Sequence, residues 1–370
     1  MVHQPREIGM QRIIVFGGGK IGTLITFLLA RSKDYLVYLA DIHPKNPQAN
    51  ILTNTPNIEY VQLNAQDANA IEKFIQEHKP STIVSCLPYY CNIGIAKAAA
   101  KHNLHYFDLT EDTKTSELEH ELANKVSSAF VPQCGLAPGF ISIVANDLMK
   151  KFSTLDAVKL RVGALPINVS NALQYSLTWS TDGLINEYGN PCQAIDNGAI
   201  VTLFPLDNLE EITLDGLTYE AFNTSGGIGS LVASYQGKVN HLSYKTIRYP
   251  GHCAKMRLLM NDLKLNLDRD TLKRILENAL PRTYQDVVLV YVSVSGQRDE
   301  QSIEENYVKK FYPKMIDDKN WSAIQLTTAS GLCAVLDIVL SNPDQYHGFV
   351  RQEEFTLAAI THNRFGQYYA

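Results

Sequence analysis

Three glycines and an aspartate carry the first chemistry that this sequence offers. Gly17, Gly19 and Gly22 stand in Gly-x-Gly-x-x-Gly spacing directly after the apolar run Arg12-Ile13-Ile14-Val15-Phe16, and a helix-like segment, Ile21 to Leu29, follows them. A strand that turns through such glycines into a helix presents unpaired N–H groups and a positive dipole end to a pyrophosphate. Gly17 permits the tight turn, Gly19 lets the backbone approach the phosphates, and Gly22 lets the helix pack on the strand. Lys20 and Ile21 open that helix and supply its first amides. A second apolar run, Tyr35 to Ala40, delivers Asp41 about twenty residues on, where a carboxylate accepts bonds from the adenine ribose 2′-hydroxyl and repels a 2′-phosphate. Ile42-His43-Pro44 brings no arginine after it, so NAD is expected rather than NADP.

Further groups lie beyond the ends of later strand-like runs. Asp67 can reach the adenine end or cap the next helix. Cys86-Leu87-Pro88 can form an extended wall beside a nicotinamide, or Cys86 and Leu87 can be buried strand-end residues. Asp108 stands where an acid can orient substrate or cofactor, whereas Glu111 and Asp112 suit the first turn of a helix. Around Trp179 to Tyr188, aromatic rings and Glu187 can surround an amino group, although Trp179 and Tyr188 also fit a plain core. Thr224-Ser225-Gly226-Gly227 lacks the Lys-Ser/Thr of a P-loop, yet its exposed amides suit a carboxylate. Arg248, followed by Tyr249-Pro250-Gly251-His252, offers a planar fork for a substrate carboxylate. His252 can move a proton or simply fill the core.

These groups need rigid elements to position them. In the first third, strand-like runs (13–16, 36–40, 59–62, 82–86, 105–108) alternate with helix-like ones (21–31, 68–78, 94–102, 117–127), which predicts a doubly wound parallel sheet. The Phe130 segment reads as a sixth strand. From Ala157 onward longer alternating runs (158–163, 173–178, 199–204, 239–248, 287–296) predict a second α+β domain with a mixed, largely antiparallel sheet. Leu231–Gln236 and Lys238–Tyr244 read as a hairpin around Gly237. Thr327–Leu340 reads as an apolar helix returning to the first sheet. The expected division is therefore 1–133 with 327–370 for the Rossmann domain and 134–326 for the substrate-binding and dimerisation domain.

The bulk numbers agree with an ordinary globular chain. Its 370 residues suit about two domains, and 45% apolar with 19% charged residues argues against disorder. A net charge of −5 with no dense Lys/Arg cluster leaves no footprint for nucleic acid. Neither a signal peptide nor a membrane span is visible. Six cysteines without CxxC spacing fit reduced thiols better than a disulfide framework or a metal site, so a cytoplasmic protein without metal is expected.

Taken in order, these segments resemble the saccharopine dehydrogenase-like family, and within it most closely the L-lysine 6-dehydrogenases. The resemblance runs over roughly residues 12 to 345. It rests on the glycine fingerprint with Asp41, Leu87-Pro88, Gly135-Leu136-Ala137-Pro138-Gly139, Asn186-Glu187-Tyr188, Thr224-Ser225-Gly226-Gly227 and Lys245 to His252. It implies a Rossmann domain for the nicotinamide cofactor, a second domain that closes over a small amino-acid substrate, and a homodimer. The implied reaction is oxidation of a lysine-like amine by hydride transfer, followed by hydrolysis of the imine. In that scheme Arg248 with Thr224 and Ser225 holds the carboxylate, Gly226 and Tyr249 complete that substrate site, Glu187 or Asp108 faces the amine, and His252 is a proton carrier. Saccharopine-forming relatives tend to carry an acid where Ala137 stands, and they need a second carboxylate site for which His241 and Lys245 are the candidates. A saccharopine or carboxynorspermidine dehydrogenase, and a non-catalytic NAD-binding sensor or scaffold, remain alternative readings.

Overall fold

The structure, a computed structural model, describes residues 10–43, 47–53 and 55–370, so Pro44 lies outside it. Two compact units divide the chain.

The first unit holds the described residues up to Leu109, together with Lys114–Pro132 and Leu336–Val350. Its strands are β1 (Gln11–Phe16), β2 (Tyr35–Asp41), β3 (Ile58–Gln62), β4 (Thr82–Ser85), β5 (His105–Asp108) and β6 (Ala129–Val131). They form one parallel sheet in the order β6-β5-β4-β1-β2-β3, completed beyond β6 by the short strand Gly348–Phe349. Ile13, Ile14 and Val15 are wholly buried, as a strand covered on both faces requires. Helices α1 (Lys20–Arg31), α2 (Ala68–His78), α3 (Tyr89–Lys101) and α4 (Thr113–Ala123) supply the crossovers. On α2, Ile71, Phe74 and Ile75 form the buried stripe at helical spacing. That helix stops where Lys79 turns left-handed ahead of Pro80. The strand order reverses between β1 and β4, so a ligand belongs beyond their carboxyl ends.

The second unit holds Thr110–Thr113, Gln133–Val335 and Arg351–Ala370. Its strands are β7 (Thr154–Pro166), β8 (Cys192–Asp196), β9 (Ala199–Leu203), β10 (Glu210–Leu214), β11 (Leu217–Asn223), β12 (Val239–Arg248), β13 (Asp286–Arg298) and β14 (Gln301–Phe311), with a small separate ribbon, β15 (Lys314–Ile316) and β16 (Lys319–Trp321). The main path is β10-β11-β12-β7-β13-β14, with β8 attached to β12 and β9 to β8. Only β12 and β7 run parallel, which makes the sheet mixed and mostly antiparallel. Helices α5 (Phe140–Met149), α6 (Thr181–Gly189), α7 (Leu231–Tyr235), α8 (His252–Arg257), α9 (Arg269–Ala279) and α11 (Leu357–His362) lie in this unit, and α10 (Ala323–Ser341) begins in it and ends in the first. Leu184, Tyr188, Phe222, Met256, Leu272 and Leu276 share one core, so α6, α8 and α9 cover the β11 end of the sheet. The most apolar stretch of α10 is long enough to cross a membrane, but 83% of it is buried in protein, as in a core helix.

Three expectations are corrected. Leu173–Thr178 is not a strand: Gln174 takes a left-handed conformation, φ 52°, and Tyr175 and Leu177 turn into the helical core. Leu231–Gln236 is not half of a hairpin, because β12 pairs with β7 (Val239 opposite Leu155) and Leu231–Tyr235 closes a helical turn instead. The chain rejoins the first unit only over Leu336–Val350, and Arg351–Ala370 belongs to the second, where Tyr369 stacks on Phe140 at 3.6 Å.

Candidate active site

In the first unit the glycine turn is built for a diphosphate. A side chain on Gly22 would put its Cβ 1.9 Å from the Gly17 carbonyl oxygen, so only glycine lets α1 start so close to β1. At Gly19 the same Cβ would meet nothing within 4 Å: the space in front of the helix start is open. Gly19 is the N-cap of α1 and has no side chain to cap it, so Lys20 and Ile21 start a helix whose N-terminus suits phosphate. At the end of β2, Asp41 accepts from Gly18 N–H (2.7 Å) and His43 N–H (2.9 Å), which fixes its carboxylate beside the turn. Cys86 receives support from Phe16 O (2.8 Å), and Leu87 packs close to Gly17. Burial, and then Asp108, push the Cys86 thiol far up, so it is no thiolate nucleophile. Pro88 caps α3. These residues fit a nicotinamide dinucleotide. Asp67 is a correction: its Oδ1 accepts from Asn69 and Ala70 N–H, both at 3.0 Å, as the cap of α2.

Asp108 is also corrected. It is wholly buried at the end of β5, and its Oδ2 accepts from Asn92 Nδ2 (2.9 Å) and the Tyr106 hydroxyl (3.0 Å). The same hydroxyl stands 3.1 Å from Glu119 Oε1, and Asn92 Oδ1 accepts from Ser85 (2.8 Å). This carboxyl ties strand ends to helices inside the Rossmann sheet and does not face an amine.

In the second unit a polar cluster sits inside the helical core. Arg248, last residue of β12, is 2% exposed. Its Nε donates to the Tyr188 hydroxyl (2.8 Å), its Nη1 to Ile247 O (2.8 Å), and its guanidinium lies over the Tyr175 ring at 5.0 Å. It has no carboxylate within ion-pair distance among the described residues, a costly state for a buried cation. Glu187, on α6, is buried too, and no side-chain hydrogen bond holds it among the described residues. Burial pushes its carboxyl up to about 8, with Arg248 pulling down and Glu111 pushing up. Thr224 bonds Thr246 hydroxyl to hydroxyl (2.7 Å), and Ser225 ties its N–H to Glu187 O and its hydroxyl to Asn186 O (3.2 Å). Their hydroxyls therefore brace the loop around Glu187. Gly226, at φ +84°, lies against Glu111, where a Cβ would come within 2.6 Å of the Glu111 carbonyl oxygen.

Two further expectations change. Tyr249 does not join Arg248: its hydroxyl donates to Pro166 O (2.8 Å) and its ring stacks on Tyr219 in the core of the opposite sheet face. Each of His252's ring nitrogens has a partner, Nδ1 at Leu173 O (2.7 Å) and Nε2 at the Tyr188 hydroxyl (3.1 Å). Burial, helped by Arg248, pushes its pKa down to about 3, so it stays neutral and supports its neighbours instead of carrying a proton. Lys245 is engaged by Asn208 O (2.7 Å) and Glu210 (3.5 Å), and His241 by Asp196 (2.8 Å).

Sequence reasoning missed two organisers. Glu111 precedes α4 rather than opening it, and lies beside the Gly226 turn. Glu220 is buried on β11 and accepts from Gly251 N–H (2.8 Å) and Cys253 N–H (2.5 Å), clamping the start of α8. An acid between the apolar residues of Tyr219-Glu220-Ala221-Phe222 was the available signal.

A dinucleotide-type Rossmann unit and a second unit carrying a buried anion-ready arginine define the class of nicotinamide-linked two-domain proteins. Residues 13–131 match the family description "Saccharopine dehydrogenase NADP binding domain", and residues 135–365 match "Saccharopine dehydrogenase C-terminal domain". The chain belongs to the saccharopine dehydrogenase family. It is similar to the saccharopine dehydrogenase [NADP(+), L-glutamate-forming] of Schizosaccharomyces pombe, 26% identical over 208 residues that span 54% of this chain and 45% of that protein. It is also similar to the mitochondrial alpha-aminoadipic semialdehyde synthase of Bos taurus, 24% identical over 329 residues, 81% of this chain and 33% of that one. The matches thus span less than half the length of these curated relatives. Among solved structures, apo saccharopine dehydrogenase (L-Glu forming) from Saccharomyces cerevisiae shares the fold with a TM-score of 0.74 at 14% identity, covering 95% of each chain. Homospermidine synthase from Legionella pneumophila in complex with NAD gives 0.65 at 11% identity, covering 97% of this chain and 89% of that one.

Proposed function

We propose that the protein is an NAD-dependent dehydrogenase that oxidises a lysine-like amino acid at the carbon bearing its amine, with L-lysine as the substrate its charges fit. The observation that carries this reading is the pairing, within one buried cluster, of a cation with no carboxylate at ion-pair distance among the described residues (Arg248) and a carboxyl raised to about 8 (Glu187). A zwitterion that presents a carboxylate to Arg248 and an amine toward Glu187 completes both. The amine must lose its proton before its carbon can release a hydride, and Glu187 is the group placed to accept that proton. The dinucleotide of the first unit would take up the hydride, and water would then hydrolyse the imine.

One observation favours this substrate over saccharopine, and another favours NAD over NADP. Saccharopine needs additional cations, yet Lys245 and His241 are already engaged by Glu210 and Asp196. NAD is favoured by Asp41, whose carboxylate at the end of β2 would repel a 2′-phosphate, although the matched family description names NADP.

The test is reduced-nicotinamide formation with NAD or NADP and a panel of L-lysine, saccharopine, ornithine and carboxynorspermidine. Turnover of L-lysine with NAD is the expected result. Turnover of saccharopine instead overturns the substrate assignment, a preference for NADP overturns the role given to Asp41, and silence across the panel with NAD bound leaves a binding protein.

A further inference from the structure

The three side chains Arg248, Tyr188 and His252 form a chain of hydrogen bonds whose direction is fixed. Leu173 O can only accept, so the proton of His252 sits on Nδ1 (2.7 Å). Nε2 then has a lone pair and accepts from the Tyr188 hydroxyl at 3.1 Å. With its proton committed to His252, the Tyr188 oxygen turns a lone pair to Arg248, which donates from Nε at 2.8 Å. Nη1 also donates to Ile247 O, which leaves Nη2 and the second hydrogen of Nη1 as the donors that can meet a ligand. Burial below Tyr175 and beside Phe222 keeps each member of the chain from exchanging its partner for water. The last support comes from outside the chain: Gln174 donates to Pro250 O (2.9 Å), pinning the segment that carries Leu173 onto the turn that carries His252.

We propose that Tyr188 and His252 are positioning residues, and that their one-way hydrogen-bond chain turns the Nη edge of Arg248 toward the substrate carboxylate. This rests on the reading of Arg248 as the carboxylate anchor. Neither residue touches the substrate; each acts through the arginine. Without the chain, a buried guanidinium keeps its charge but loses its preset fork geometry, and the loss falls on carboxylate recognition alone.

The experiment compares L-lysine with cadaverine, which is lysine without its carboxylate, as substrate or competitive inhibitor of the full-length enzyme. Tyr188→Phe is expected to raise KM for L-lysine about tenfold or more, the worth of one hydrogen bond to a charged group, while kcat and the values for cadaverine hold within about twofold. His252→Phe should act in the same direction, and His252→Gln, which can keep an amide oxygen facing Tyr188, should recover part of the loss. Equal losses for both ligands would overturn the proposal, because they describe a merely structural role. Arg248→Ala separates the two readings. If it leaves the discrimination between lysine and cadaverine intact, the anchor itself is wrong. If it abolishes that discrimination while Tyr188→Phe does not, only the positioning role falls. Nitrogen NMR of the free enzyme gives a check that needs no substrate: His252 should hold the Nδ1-protonated neutral tautomer from about pH 5 to about pH 9. A charged ring or the other tautomer in that range overturns the chain of bonds.

Discussion

Glu187 shows most sharply what a residue's surroundings do to its chemistry. An unfolded chain titrates this carboxyl near 4.5, whereas burial in the folded protein moves it to about 8. The folded state therefore binds the proton more tightly. The stability this provides is complete below about 4.5 and is lost as pH rises through about 8. Glu187→Gln keeps the shape and removes the titration, so its melting temperature should gain on the parent's as pH goes from about 5 to about 9. The same substitution should remove a limb of kcat/KM that rises with an apparent pKa near 8. Superimposable pH profiles for variant and parent would take the proton-accepting role away from Glu187. No second limb from His252 is expected in the neutral range, since its pKa is about 3. The residue types of this cluster were legible, because Glu187 and Arg248 stand out in the sequence. Their partners were not. That Glu187 lacks a side-chain bond among the described residues while both nitrogens of His252 are engaged depends on contacts between distant segments, such as Leu173 with His252, that no local spacing encodes.

At the scale of the element, the strand–turn–helix of the first unit was readable because each glycine answers a separate steric demand. Those demands give opposite outcomes for two similar substitutions. Gly22→Ala forces a Cβ to within 1.9 Å of the Gly17 carbonyl oxygen, so α1 must move off β1 and the unit should lose stability by about 2 kcal/mol or more. Gly19→Ala places its Cβ more than 4 Å from any non-neighbouring atom of the described residues and has an ordinary φ of −72°, so the chain should fold with its melting temperature nearly unchanged. It would, however, fill the space the phosphates need, and NAD affinity should fall by about tenfold or more. Thermal unfolding and NAD titration of both variants provide the check. Normal NAD affinity in Gly19→Ala would move the phosphates away from this turn. Elements of the second unit were harder to read for a physical reason. Leu173–Thr178 alternates like a strand, yet Tyr175 and Leu177 bury themselves among helices, and a left-handed Gln174 ends the alternation. Likewise Glu220 looks like a surface acid in a strand until Gly251 and Cys253 bring their amides to it from the far side of a turn.

For the molecule as a whole, the order of chain segments does not follow the order of compact units. The parallel sheet was predictable from alternating strand and helix periodicity, whereas the apolar helix near the end was expected to return to it from residue 327 and the chain does so only from Leu336. How much of the end returns is set by contacts the sequence does not display: Leu336–Val350 joins the first unit, while Arg351–Ala370 joins the second. One hydrogen bond measures what that return contributes. The Tyr35 hydroxyl, at the start of β2, donates to Asp337 Oδ1 at 2.7 Å across 302 residues of chain, with both residues buried. Asp337→Ala takes the acceptor of this bond away from a buried hydroxyl and should cost about 1–3 kcal/mol in urea unfolding. Tyr35→Phe should also cost about 1–3 kcal/mol, since it takes a donor away from the buried Asp337 carboxylate. In the double variant the two losses should fail to add, with a coupling of about 1–2 kcal/mol. Strict additivity would mean that this contact contributes nothing to joining the late segment to the nucleotide-binding sheet, and that the parallel pairing of Gly348–Phe349 with β6 holds it there without help from Asp337.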